Sequence, residues 1–152
     1  MSRLSLSVAA VLAVTVALTS APFALADQVF HTSHAAVHAV AAAPLRSGFV
    51  NDTHTNSVVN GAREGYHLNG AQPGVTYEVQ LGIFASLSCA GLPFATVPSS
   101  QITTNGVGNG NADAFFPAGP PNNPPVQVGV VWQFLSNGVA VYATDCVAVT
   151  AD

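Results

Sequence analysis

Apolar residues recur at every second position in two long stretches of this chain. In VTYEVQLGIFAS, residues 75–86, Tyr77, Val79, Leu81, Ile83 and Ala85 share one face, and Thr76, Glu78 and Gln80 share the other. VQVGVVWQFL, residues 126–135, repeats the pattern with Val126, Val128, Val130, Trp132 and Phe134. A period of two sends alternate side chains to opposite faces, so both stretches predict half-buried β-strands. Asn137-Gly138 comes directly after the second stretch and predicts a tight hairpin, because both central residues of that turn take positive φ. VAVYATDCVAV, residues 139–149, is then the returning strand. Shorter candidates are LRSGFV, EGYHLN, QITTN and NADAFF, with no convincing helix among them. About seven short strands separated by Gly, Asn and Pro predict an all-β fold, an antiparallel β-sandwich or barrel, with the sandwich preferred.

Two loops carry no strand or ligand signal. PAGPPNNPP, residues 117–125, lacks the backbone donors a strand needs and reads as an extended connector. NGVGNGNA, residues 105–112, is glycine-rich, but a phosphate-cradling loop needs a helix after it. The chain continues instead into the strand-like NADAFF, so the segment reads as a hairpin turn.

The strand pattern begins only near Leu45. Residues 1–26 combine Arg3, an apolar run and Ala24-Leu25-Ala26, the pattern of a secretory signal peptide cut before Asp27. Residues 27–44 are rich in Ala, Val and His and end at Pro44; they read as a mobile or loosely helical arm. The β domain is expected over residues 45–152. Without its leader the chain keeps two arginines, Arg46 and Arg63, against seven carboxylates, and has no lysine. Two cations cannot form the basic stripe that nucleic acid or an anionic membrane surface requires, so neither is an expected partner. The two cysteines, Cys89 and Cys146, suit an oxidising compartment and are expected to form one disulfide. The composition, lysine-free and rich in Ala, Val and Gly, points to a secreted bacterial chain.

LNGAQPGVTYEVQL, residues 68–81, resembles the tyrosine corner of immunoglobulin-like and fibronectin type III domains, with Leu68, Pro73 and Tyr77 in matching order. The resemblance implies an immunoglobulin-like sandwich in which the Tyr77 hydroxyl bonds to backbone a few residues upstream. It covers about 14 residues and bears on architecture, not activity. The chain departs from that family in placing four further strands after Tyr77 and its tryptophan, Trp132, late.

Chemistry is sparse. His31, His34 and His38 would fall within about 60° of one another on a helix and could then hold Zn²⁺ or Cu²⁺, with His54 or His67 as a fourth ligand. His54 otherwise reads as a turn residue and His67 as an exposed strand residue. Asp52, Glu64, Glu78, Asp113 and Asp145 are scattered and read as solvated charges. No nucleophile elbow or His-Glu-x-x-His helix occurs, and no cofactor is implied. Phe84, Val131 and Leu135 fall on the faces opposite the main apolar stripes, which suggests a cover from residues 27–44, a second copy or a cell-surface protein. The sequence therefore predicts a non-enzymatic, secreted binding or assembly module of the bacterial cell exterior; the alternative is a small exported metal-binding protein using the histidine arm.

Overall fold

The computed structural model describes residues 30–55, 61–117 and 126–151. The expected signal peptide and most of the proline-rich connector lie outside these residues. All regular structure among them is β, in nine strands: β1 Phe30–Ala39, β2 Ser47–Thr55, β3 Ala62–Asn69, β4 Thr76–Phe84, β5 Ala95–Thr103, β6 Gly110–Phe116, β7 Val126–Ser136, β8 Val139–Thr144 and β9 Val147–Ala151. They pair antiparallel in the order β5-β4-β7-β8-β1-β2-β3-β6, with β9 extending the β8 edge of β7. The two ends of this row, β5 and β6, lie side by side and are joined by the short 104–109 hairpin. The Ser100 hydroxyl donates to the Asp113 carbonyl across that seam at 3.2 Å. The result is one curled, nearly closed barrel-like sheet.

β1 changes the domain boundary. Its first half pairs with β2 and its second half with β8, so it joins the two halves of the sheet. Ala35 and Val37 point into the core, while His34 and His38 point out. Residues 30–39 are thus a central strand, not an arm: in this stretch small and aromatic polar residues blur the alternation, and partners on both sides supply the stability that propensity does not. The returning strand expected after the hairpin is split at Asp145-Cys146 into β8 and β9.

The core is the inner face of the barrel. Val50, Tyr66, Tyr77, Val79, Ile102, Trp132, Phe134 and Tyr142 are all fully buried there. Tyr66 meets Phe134 edge-on with ring centroids 6.2 Å apart, a favoured aromatic geometry. The hairpin at Asn137-Gly138 has φ of 52° and 75°, as a turn with two left-handed residues requires.

Cys89 and Cys146 form a disulfide with Cα atoms 5.7 Å apart across 57 residues of sequence. Closing a loop of that length stabilises by about 4 kcal/mol in the chain-entropy model. The bond pins residues 85–94 to the outer face of β7 at Gly129, where a Cβ would lie 2.3 Å from the Ser86 carbonyl and 2.9 Å from Cys89 Sγ. Pro93 sits over Gly82 beside the Phe84 ring. The outward apolar positions of β4 and β7 are therefore covered in part by the chain's own disulfide-clamped loop.

Candidate functional site

The two ends of the barrel differ. At one end the β3–β4 turn, the 104–109 hairpin and Pro44 are tied together. Thr104 is buried, donates to the Gln72 carbonyl at 2.6 Å and accepts from the Val75 amide at 3.0 Å. The Tyr142 hydroxyl donates to the Pro44 carbonyl at 2.8 Å and lies 3.3 Å from the Tyr77 hydroxyl. Tyr77 also meets the Gln72 backbone, five residues upstream, and Leu68 is buried in the same core. Burial, with Tyr142 next to it, keeps Tyr77 protonated well above the usual phenol range. Gly108, at φ +80°, passes so close to Ala71 that a Cβ would lie 2.0 Å from its carbonyl oxygen. This end is filled.

The other end holds a cavity of about 310 Å³. Leu81, Ile83, Val97, Val128, Val130 and Phe116 form much of its wall, with Phe94 at its rim. Into this apolar space project Asp52 and His54 from β2, Glu64 from β3 and Trp132 from β7. Asp52 and Glu64 are 1% and 4% exposed, and they are direct cross-strand partners. Side chains so paired share a face, with Cβ atoms about 5 Å apart. The reading of these two carboxylates as solvated charges is overturned: alternation inward from Val50 and Tyr66 carries both into the barrel.

Each carboxylate has a partner from its own strand. His54 Nε2 donates to Asp52 Oδ2 at 2.5 Å. Tyr66 donates its hydroxyl proton to Glu64 Oε2 and contacts Ser99 Oγ. Ser99 reaches the interior through a β-bulge. Val79 pairs with Ser100 and Gln80 with Pro98, so Ser99 is the extra residue, and both Ser99 and Ile102 face inward despite their opposite parity. Such bulges re-aim single side chains.

Burial pushes the Glu64 carboxyl up to about 7; hydrogen bonding from Tyr66 and from the Trp132 indole opposes this, and the neighbouring Asp52 charge reinforces it. Burial and the Glu64 charge together hold Tyr66 protonated. The Trp132 indole N–H lies near enough to Glu64 to favour its charged form, yet makes no hydrogen bond of ordinary geometry. Among the described residues, the buried side-chain polar atoms with no hydrogen-bond partner are Asp52 Oδ1 and Trp132 Nε1, and both residues line this cavity. An unmet buried polar atom costs about 1–3 kcal/mol, which makes such atoms uncommon without a role.

The histidines read as a metal set are dispersed. On a strand, His31 shares the inward face with Ser33 and Ala35, opposite His54 in register, while His34 and His38 face outward about 13 Å apart at about 3.3 Å per residue. His34 Nδ1 bonds Asn51 Oδ1 at 2.7 Å, and His38 Nδ1 lies 4.0 Å from Asp145. The helical stripe that would have gathered them does not exist. No group of three or more His, Cys, Asp or Glu side chains among the described residues is arranged to hold a metal ion. His67 is half-buried, stacked on Phe49 at 4.3 Å and bonded to Asn111. Leu68 and Tyr77 stand at the filled end, and Pro73 lies in the turn between their strands.

Among the described residues, the fold and this cavity define a class: a nearly closed, barrel-like antiparallel sheet, filled at one end and holding a cavity at the other, with an acidic pair on an apolar wall. Compared with protein-family models, curated proteins and solved structures, the chain matches none.

Proposed function

We propose that this chain is an exported, non-enzymatic binding protein that takes a small, mainly apolar molecule into the hollow end of its barrel. The observation that carries this reading is the coincidence of the cavity with Asp52 Oδ1 and Trp132 Nε1. Ligand sites are mostly apolar concavities with a few convergent polar groups, and about 310 Å³ is enough for a compact ligand. The Cys89–Cys146 bond supports residence in an oxidising compartment outside the cytoplasm. The immunoglobulin-like resemblance of residues 68–81 supports a shared turn device, with Tyr77 bonded back to Gln72.

The test uses the one tryptophan of the chain, Trp132, as a reporter in the cavity wall. Titration with the neutral probe N-phenylnaphthylamine is expected to change Trp132 emission saturably, and Val128→Phe, which fills the cavity, is expected to abolish that change. A linear, non-saturating response, or saturation untouched by Val128→Phe, overturns the reading.

The assembly half of the sequence expectation has its own support. Leu92 and Phe94, on the disulfide-clamped loop, are 92% and 66% exposed, with Leu87 close by in sequence. Contact with a second copy or a cell-surface protein would cover them. Light scattering over rising concentration is expected to show self-association that Leu92→Ser weakens; a monomer throughout discards the second copy.

A further inference from the structure

We propose that the polar end of the ligand is a protonated aliphatic amine, seated against Asp52 and Glu64; this rests on the cavity reading. Four observations converge on it. First, the acidic pair lies side by side in a low-dielectric wall, where two like charges cannot both persist without a counter-charge. His54 meets one oxygen of Asp52, leaving Asp52 Oδ1 without a partner. Second, neither a lysine nor an arginine of the chain reaches this place, and the imidazole of His54, on Asp52 Oδ2, is the basic side chain in its wall. The chain contains no lysine, and Arg63, adjacent to Glu64 in sequence, is on the opposite face of β3, where it lines an outer groove.

Third, the donors at the site do not meet every oxygen of the acidic pair. An ionised Glu64 accepts from Tyr66 and is favoured by the Trp132 N–H, and His54 donates to Asp52 Oδ2, which leaves Asp52 Oδ1 as the buried oxygen of the pair that no donor meets. An ammonium carries three donors and no acceptor, which suits that unmet oxygen; a neutral alcohol brings a single donor and no charge. Fourth, the remaining wall is largely aliphatic, with Leu81, Ile83, Val128, Val130 and Val149 in it. A straight hydrocarbon tail fits such a wall, and each methylene it buries is removed from water, which favours binding.

Capture should then depend on pH through Glu64. The groups facing it are Asp52 and His54 from β2, Tyr66 on its own strand, Ser99 from β5 and Trp132 from β7; His31 lies beside His54 at the end of β1. An acidic solution protonates Glu64 and removes one of the two charges that hold the amine, so affinity falls as pH drops through about 7.

Isothermal titration of the disulfide-intact protein with n-octylamine and n-octanol, at about pH 8.5 and about pH 5.5, tests this directly. The amine is expected to bind at least about tenfold more tightly than the alcohol at the higher pH, and to lose about tenfold at the lower. Glu64→Gln is expected to flatten that pH dependence, and Asp52→Asn to reduce amine binding at both values. Equal affinity for amine and alcohol at the higher pH overturns the proposal, as does an amine preference that ignores pH. The neutral probe separates the two failures. If N-phenylnaphthylamine binds and the amine has no advantage, this inference falls while the cavity reading stands; if neither binds, both fall.

Discussion

The filled and hollow ends of this barrel share strands β3 and β4, which carry Leu68 and Tyr77 at one end and Glu64 and Leu81 at the other, and differ in how their polar atoms are met. At the filled end Tyr77, Tyr142 and Thr104 are buried, and every one of their hydroxyls reaches a partner within the chain. At the hollow end Asp52 and Trp132 are equally buried and each keeps a polar atom unmet. Among the described residues, the two ends differ in whether the buried polar atoms find partners within the chain.

Equal deletions at the two ends should break or sharpen this contrast. The largest effect is expected for Phe134→Ala, which removes a ring packed on Tyr66 in the solid core; unfolding in urea should show a loss of about 3–5 kcal/mol. Val79, paired with Phe134, and Val128, on the cavity wall, allow the same chemical change in both settings. Val79→Ala should cost about 2 kcal/mol and Val128→Ala about half of that, because the second merely widens an existing space. Equal losses would mean that the hollow end is packed like the filled one.

The next effect concerns pH. Glu64 has a raised carboxyl value in the folded chain, about 7 against an ordinary 4.5. The folded state thus holds a proton that the unfolded state releases between these values, so the contribution of Glu64 to stability is most favourable below about pH 4.5 and declines as pH rises to about 7. The full span is on the order of 3 kcal/mol. Denaturation midpoints measured across that window should fall for the native chain and stay nearly level for Glu64→Gln. A native midpoint that rises over the same window would contradict the buried state of Glu64. An effect as small as that of Val128→Ala is expected at the filled end: Asn137→Ala, in a left-handed position of the β7–β8 hairpin, should lower stability by about 1 kcal/mol without altering probe binding.

Much of the barrel is legible along the chain. Val79, Leu81, Trp132 and Phe134 stand on the inner face that their alternation assigns them, and Asn137-Gly138 turns as its residue types require. β1 is not legible in the same way, because HTSHAAVHA offers Ala35 and Val37 as its buried residues and little else. The site hides for a related reason. NDTHT is polar on both faces, so nothing in its composition separates the outward Asn51 and Thr53 from the inward Asp52 and His54. Parity does carry a signal: stepping by two from Val50 reaches Asp52 and His54, and stepping back from Leu68 through Tyr66 reaches Glu64. That signal needs the strand limits to be known, and a polar stretch does not mark them.

The amino-acid order by itself determined the all-β class, the strands around residues 76–84 and 126–136 and which of their faces are buried, where the hairpin turns, and that Cys89 could pair only with Cys146. These are consequences of local geometry, of a two-residue repeat, of φ preferences and of a two-cysteine inventory. Tertiary structure alone decided that residues 30–39 join the two halves of the sheet, that the strands close into a barrel hollow at one end, and that Asp52, Glu64 and Trp132 share one wall. Alternation names the face a side chain occupies, whereas neighbours across a sheet are chosen by the burial of all strands at once.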